Sequence, residues 1–193
     1  MWNLRDLSIV SECQLDVSKD DYVTYLYTIS ELTNQPLNHR HIFLGLSTGN
    51  VRIFDLETKT ISSYFIDFKK QFKQKNRDKV SCIKCHPEKM HRILISYERT
   101  AAVVYSINKD LPLWTFQLDF DKHGHKGKLL AVDWMSANDI LCGFEQGHLE
   151  IYAFGGGTKP TRVLKFSVPA LTRMKLERFV RPTDSTPLIL MEY

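Results

Sequence analysis

The amino-acid sequence predicts an all-β protein built from repeated four-stranded units. Short segments in which apolar and polar residues alternate run through most of the chain, and turn-forming residues such as Gly, Asn and Asp interrupt them. Three of these segments, residues 41–56, 92–107 and 139–154, share one shape: a strand, a tight turn and a second strand. Their β-branched and aromatic residues are typical of strands. The three segments also align with one another, which indicates a repeat.

The repeat places residues of one type at equivalent positions. Each segment has a small residue four positions before a turn residue, and each has an aromatic residue near its end. The small residues are Gly45, Ser96 and Gly143, the turn residues are Gly49, Thr100 and Gly147, and the aromatic residues are Phe54, Tyr105 and Tyr152. Trp2 occupies the aromatic position of an earlier unit. One strand precedes and one follows each segment, so a unit of about 50 residues contains four strands.

Four antiparallel strands at this spacing are typical of the blades of WD-repeat β-propellers. A blade cannot cover both of its faces alone, so each blade needs a neighbour on either side. We therefore predict a WD-repeat-like β-propeller, with about four blades or partial blades of a larger propeller. The approximate units are 1–20 (end of a blade), 21–68, 80–120 and 128–168 (blades) and 169–193 (start of the next blade). The large residues expected between blades are Phe43, Leu94, Trp134 and Leu141.

The composition is that of a globular protein with a packed core. The 193 residues are 43% hydrophobic and 25% charged, and the formal net charge of +4 is small for a dedicated nucleic-acid binder. No run of about 20 apolar residues is present to cross a membrane, and Arg5, Asp6 and Glu12 interrupt any signal peptide. We therefore expect a cytoplasmic protein with reduced cysteines, which binds neither nucleic acid nor a small-molecule substrate.

Cys82, Cys85 and His86 form the C-x-x-C-H pattern of covalent haem attachment. The repeat aligns Cys85 with Trp134, so both cysteines lie in the first strand of a blade. Residues three apart in a strand face opposite sides, whereas haem attachment needs both thiols and the histidine on one side. A zinc site lacks a second ligand pair at suitable spacing. We expect structural cysteines without cofactor or metal, and a haem or redox protein is the remote alternative.

Residues 67–79 form a strongly basic segment between two predicted blades. Its basic residues are Lys69, Lys70, Lys73, Lys75, Arg77 and Lys79. Phe68 and Phe72 are four positions apart, which favours a short amphipathic helix in the segment. One interpretation is a solvated loop between blades. The other is a contact with an acidic protein or an acidic membrane surface.

The run from 80 to 107 resembles a blade of the lethal giant larvae, tomosyn and yeast exocytic homologue family. A blade of that family reads roughly V-V-x-I-x-W-N-P, followed by L-L-I-x-Y-E-x-G. The matching residues here are Val80, Ile83, Pro87, Leu94, Ile95, Tyr97 and Glu98. Cys85 stands where the family has Trp, and Thr100 stands at or next to the place of the Gly. Residues 42–66 and 128–154 are similar to neighbouring blades of the same family, and residues 155–166 resemble the segment that follows.

The resemblance implies a non-enzymatic regulator of SNARE-dependent exocytosis and polarised vesicle trafficking. It implies binding to syntaxin-type SNAREs, further ties to Rab GTPases, the exocyst or myosin, and peripheral association with the plasma membrane or vesicles. Such proteins contain two seven-bladed propellers, and seven blades need roughly 300 residues. We therefore expect the chain to be part of the first propeller. The alternative is a generic WD-repeat interaction scaffold from another pathway. No G-x-S-x-G, P-loop or H-E-x-x-H motif indicates an enzyme.

Overall fold

A computed structural model of the chain describes residues 2–3, 8–9, 21–28, 41–67, 78–98, 101–117, 127–157, 159–167, 173–178 and 187–192. Within these ranges the regular secondary structure consists of strands alone, arranged as three four-stranded sheets and two two-stranded sheets. All of the strand pairs in these sheets are antiparallel. The short helix predicted within residues 67–79 falls on positions 68–77, outside the described residues.

The three four-stranded sheets follow one another along the chain, and we number them as blades. Blade 1 contains β3 (Val23–Thr28), β4 (His41–Leu46), β5 (Val51–Asp55) and β6 (Thr60–Ile66). Blade 2 contains β7 (Val80–Cys85), β8 (Arg92–Tyr97), β9 (Ala101–Ser106) and β10 (Leu111–Gln117). Blade 3 contains β11 (Leu129–Trp134), β12 (Asp139–Phe144), β13 (His148–Ala153) and β14 (Arg162–Lys165). The two-stranded sheets are β1 (Trp2–Asn3) with β2 (Ser8–Ile9), and β15 (Arg173–Arg178) with β16 (Pro187–Glu192).

Each blade is a simple meander, because its strands are hydrogen-bonded in chain order. The first strands of successive blades contact one another: β3 contacts β7, β7 contacts β11, and β11 contacts β15. The first strands therefore form the inner row of the assembly, and the blades extend outward from it. This is the arrangement of a β-propeller, in which radial sheets pack face to face around an axis.

The strand register confirms the predicted repeat. The aromatic residue of the third strand pairs with an isoleucine of the second strand in all three blades. These pairs are Phe54 with Ile42, Tyr105 with Ile93, and Tyr152 with Ile140. The repeat in sequence is therefore a repeat of register, with one residue type at one place in each sheet.

The register also extends to the predicted position of Trp2. In blades 1 and 2 the aromatic residue pairs with the residue seven positions later, as Phe54 does with Ile61 and Tyr105 with Pro112. Trp2 pairs with Ile9 at the same spacing in the β1–β2 sheet. The backbone pairing of β1 with β2 therefore matches that between the third and fourth strands of a blade.

The hydrophobic core lies in layers between the blades. One cluster joins blade 1 to blade 2 and includes Phe43, Ile53, Ile83, Ile93 and Ile95. A second joins blade 2 to blade 3 and includes Leu94, Trp114, Phe116, Val132, Trp134 and Phe144. A third lies on the far face of blade 3 and includes Leu141, Leu149 and Ile151. The four large residues predicted to fill these layers are all buried, so neighbouring blades cover one another's apolar faces.

Small and left-handed residues occur where the repeat requires them. Gly49 and Gly147 have φ angles of 86° and 74°, as their predicted turn positions demand. Thr100, at the equivalent position of blade 2, lies outside the described residues. Lys59 and Asp110 also have left-handed backbones, with φ angles of 56° and 51°, and they occupy equivalent turns before the fourth strand.

Candidate interaction surface

The ends of the strands form two rims, and each rim collects one set of connections. The first rim comprises the residues just before the first strands and the turns between second and third strands. Its described residues are 21–22, 47–50, 78–79, 98, 127–128 and 145–147. The second rim comprises the connections at the other ends of the strands. Its described residues are 56–59, 86–91, 107–110, 135–138 and 154–157.

One backbone hydrogen bond recurs on the first rim of every blade. The residue that follows the second strand donates its N–H to the carbonyl of the residue that enters the first strand. The three bonds are Ser47 to Tyr22, Glu98 to Lys79, and Glu145 to Lys128, each with an N–O distance of 2.9 Å. The first rim therefore has the same backbone contact in each of the three blades.

Lys79 is the one basic residue of the predicted contact segment that the structure describes. Its side chain is exposed, and its ammonium lies 5.7 Å from the ring centre of Tyr22, which is itself 53% exposed. An ammonium over an aromatic face is a favourable cation–π contact. The other five predicted residues, Lys69, Lys70, Lys73, Lys75 and Arg77, lie outside the described residues. Their segment joins Asp67 after blade 1 to Asp78 before blade 2, and Asp78 lies on the first rim.

Asp21 anchors the first rim of blade 1. Its carboxylate accepts hydrogen bonds from the Ser47 hydroxyl at 2.6 Å, the Thr48 hydroxyl at 2.9 Å and the Thr48 N–H at 3.2 Å. It also accepts the N–H of Tyr22 at 3.1 Å. The carboxylate thus ties the start of β3 to the turn after β4 and places Tyr22 beneath Lys79. Neither Asp21 nor Tyr22 was predicted from the sequence to form part of a site.

The second rim contains a junction between blades 1 and 2. Asp110 accepts a hydrogen bond from the Tyr105 hydroxyl at 2.6 Å and another, on the same oxygen, from the Tyr64 hydroxyl at 2.9 Å. Tyr64 belongs to blade 1, whereas Tyr105 and Asp110 belong to blade 2. Burial, together with the bond to Asp110, raises the pKa of Tyr64 to about 12, so its hydroxyl stays protonated and remains a donor at neutral pH.

The two cysteines of the C-x-x-C-H pattern occupy opposite faces of β7, as the strand geometry predicts. Cys85 packs against the core between blades 1 and 2. Cys82 lies in the inner row of first strands. Its sulfur is 3.6 Å from the Val132 carbonyl of blade 3 and 3.7 Å from the Tyr25 hydroxyl of blade 1. Burial raises the pKa of Cys82 to about 11 and that of Cys85 to about 12. Both thiols are therefore protonated and poorly nucleophilic at neutral pH.

His86 begins the turn after β7, and both of its ring nitrogens have partners in the protein. Nε2 lies 2.9 Å from the carbonyl oxygen of Ala137, and Nδ1 lies 3.0 Å and 3.1 Å from the N–H groups of Glu88 and Lys89. A haem iron or a metal would have to displace these bonds to reach the ring. Among the residues that the structure describes, no three His, Cys, Asp or Glu side chains are grouped so that they could hold a metal ion.

An ion pair joins blades 2 and 3 along the inner row. Lys84 Nζ lies 3.4 Å from Asp133 Oδ2, and both side chains are largely shielded, with 29% and 14% exposed. Lys84 therefore projects toward blade 3, on the face of β7 opposite Cys85.

In the described ranges, no helix is long and apolar enough to cross a membrane.

Comparisons with known proteins identify the fold. No protein-family model matches the sequence, and no curated protein matches it significantly. Among solved structures, a chain of the mitotic checkpoint complex superposes with a TM-score of 0.60 at 16% identity, over 90% of this chain and 46% of that one. The C-terminal WD40 domain of Sif2 superposes with a TM-score of 0.60 at 15% identity, over 86% of this chain and 40% of that one. The chain thus spans less than half the length of either structure. Together with the three antiparallel blades, these similarities show that the chain has an all-β fold, that of part of a WD40 β-propeller.

Proposed function

We propose that the chain is a non-enzymatic interaction scaffold that presents its first rim to protein partners. The observation that carries this proposal is the contrast between the blade faces and the first rim. The facing surfaces of blades 1 to 3 are occupied by packing, and the cysteines and His86 between them are held by neighbouring blades. Tyr22 and Lys79, by contrast, are exposed on the first rim, beside a segment that carries five more basic residues.

We further propose that this scaffold acts in SNARE-dependent exocytosis and polarised vesicle trafficking. The resemblance of residues 80–107 to the lethal giant larvae and tomosyn family supports this assignment. The matching residues Val80, Ile83, Leu94, Ile95 and Tyr97 are all buried in blade 2, so a partner would contact rim residues instead. A syntaxin-type SNARE with an acidic surface would complement the basic segment. Rab GTPases, the exocyst or myosin are further candidate partners, and the protein would be cytoplasmic, with peripheral association with the plasma membrane or vesicles.

The test compares charge reversal on the two rims. Lys69, Lys73 and Lys79 are replaced by Glu in one variant, and Lys59, Lys89 and Lys109, which lie on the second rim, are replaced by Glu in its matched control. The two variants have the same net charge. Binding to the cytosolic part of a syntaxin-type SNARE is measured by calorimetry and by association kinetics at two salt concentrations. We expect the first variant to associate more slowly, and the difference in association rate from the unmodified protein to shrink in high salt because salt screens attraction between charges.

The outcomes separate the proposals. Loss of binding in the first-rim variant alone supports the first rim as the contact surface. Equal loss in both variants would show that only net charge matters and would overturn that assignment. Absence of SNARE binding by the unmodified protein would overturn the exocytic role and favour a WD-repeat scaffold of another pathway. Binding to phosphatidylserine vesicles, tested in parallel, would identify an acidic membrane as the target of the segment instead.

A further inference from the structure

His86 is a titratable side chain buried in the contact between blade 2 and blade 3. His86 is 2% exposed, although it begins the hairpin turn between β7 and β8. Its ring centre lies 4.6 Å from that of Trp134 and 6.4 Å from that of Phe154, both in blade 3. The hairpin of blade 2 is thereby joined to its neighbour through one imidazole ring.

The hydrogen bonds of His86 fix its protonation state. A backbone N–H can only donate, so Nδ1, which faces the N–H groups of Glu88 and Lys89, must be the unprotonated acceptor. A carbonyl oxygen can only accept, so Nε2, which faces the carbonyl of Ala137, must carry the hydrogen. The arrangement therefore requires the neutral ring in a single tautomer.

A second proton on the ring would remove part of this arrangement. Protonation at Nδ1 would turn the acceptor into a donor that points at two other donors, and the bonds from Glu88 and Lys89 would be lost. The new charge would also be buried against Trp134 and Phe154. The charged groups that act on it from its own hairpin and from β8 are Glu88, Lys89 and Arg92, and the same hairpin carries a second titratable imidazole, His91. The groups that face it from blade 3, the two aromatic rings and the Ala137 carbonyl, do not titrate.

The surroundings on balance disfavour the charged ring. Burial lowers the pKa of His86 below its ordinary value, and the positive charges of Arg92 and Lys89 act in the same direction. The hydrogen bond to Ala137 and the negative charge of Glu88 oppose the shift without cancelling it. Arg92 is held in place at this contact, with its guanidinium carbon 5.4 Å from the ring centre of Phe154.

We propose that His86 makes the contact between blades 2 and 3 sensitive to acid. The neutral ring bonds the two blades, and the protonated ring releases the Glu88–Lys89 turn and loosens the contact with Ala137 and Trp134. The unfolded chain binds the proton more readily than the folded chain, so this contribution to stability is fully present above the unfolded pKa of about 6.5. It decreases as the pH falls through that value toward the lower folded pKa.

The test is the replacement His86→Asn, with His41→Asn as the matched control. An asparagine side-chain oxygen can accept the two turn N–H groups as Nδ1 does, yet it does not titrate. His41 begins β4 in blade 1, away from this contact. Thermal unfolding is followed between about pH 8 and pH 5, the range in which histidine changes charge. We expect the unmodified protein and His41→Asn to lose roughly 2–4 °C more in Tm over this range than His86→Asn does. Equal losses in all three proteins would overturn the proposal.

A second measurement tests the acid sensitivity of the His86 contact even if His86→Asn does not fold. The backbone amide signals of Glu88 and Lys89 in the unmodified protein are followed by NMR as the pH is lowered. They are expected to move together, with a midpoint below about 6.5. A midpoint at or above that value would show that the ring is not held neutral. Signals that do not respond would show that protonation of the ring does not release the Glu88–Lys89 turn, and either result would overturn the proposal.

Discussion

Gly45 and Val80 lie so close together that a Cβ atom on Gly45 would come within 2.5 Å of Val80 Cγ1 and 2.8 Å of Val80 Cβ. Gly45 belongs to the second strand of blade 1, and Val80 begins the first strand of blade 2. The small residue of the repeat therefore has a physical purpose in blade 1, because it lets the next blade approach the backbone. The packing of the two blades depends on this contact.

Replacement of Gly45 by Ala is expected to destabilise the protein by about 1–3 kcal/mol, because the added methyl group overpacks the contact with Val80. Denaturant unfolding measures the change. Gly157→Ala is the control, since among the described residues no atom beyond its chain neighbours lies within 4 Å of the added methyl, and the change there is expected to be within about 0.5 kcal/mol. Adding Val80→Ala should restore part of the loss in the Gly45 variant. A loss at Gly157 as large as that at Gly45 would contradict the account.

Lys59 and Asp110 have the same left-handed backbone conformation. Replacement by Gly is nevertheless expected to change the stability of the protein in opposite directions at the two positions. Lys59→Gly should stabilise by about 0.5–1 kcal/mol, because glycine adopts this conformation without steric strain. Asp110→Gly should destabilise the protein, because it removes the acceptor of the Tyr64 and Tyr105 hydroxyls. Thermal unfolding of both variants measures the signs. Changes of the same sign would show that the carboxylate does not hold the two blades together.

The repeat could be predicted because strand pairing imposes a period of two, so residue types recur wherever the register recurs. Phe54, Tyr105 and Tyr152 illustrate this, since each pairs with an isoleucine at one place in its sheet. The separation of Cys82 from Cys85 followed from the same alternation. The rim was harder to predict, because the Asp21 carboxylate joins the start of β3 to Thr48, 27 residues away along the chain. No local pattern marks such a contact.

The tyrosine of blade 3 provides a test of buried hydrogen bonding. The Tyr152 hydroxyl donates to Glu150 Oε2 at 2.5 Å, and both residues are about 1% exposed. Tyr152→Phe is expected to destabilise by about 1.5–3 kcal/mol, the range for hydrogen bonds to charged groups, because the buried carboxylate loses this donor. Tyr64→Phe is the control and should have a smaller effect, since Tyr105 still donates to the same oxygen of Asp110. Equal losses of stability in Tyr152→Phe and Tyr64→Phe would show that burial does not make the Tyr152 hydrogen bond the more important of the two.

The cysteines provide a test of the haem alternative. Because burial keeps the thiols of Cys82 and Cys85 protonated, their reaction with a thiol reagent at neutral pH should be slow in the folded protein and fast after unfolding. Reaction rates measured with and without denaturant check this expectation. Replacement of both cysteines by serine should leave the absorbance spectrum of the purified protein unchanged. A haem absorbance band that disappears in the double variant would contradict the structural role.

The central structural claim is that blade 2 packs against blade 1 on one face and against blade 3 on the other. Methyl NMR tests this claim most directly. Adjacent residues of β8 face opposite ways, with Ile93 and Ile95 in the core toward blade 1 and Leu94 in the core toward blade 3. We expect nuclear Overhauser contacts from the two isoleucine methyls to aromatic rings of blade 1 in the first core, and from the Leu94 methyls to aromatic rings of the second core. Contacts from all three residues to one neighbour, or from none of them to either, would contradict the stacked-blade structure.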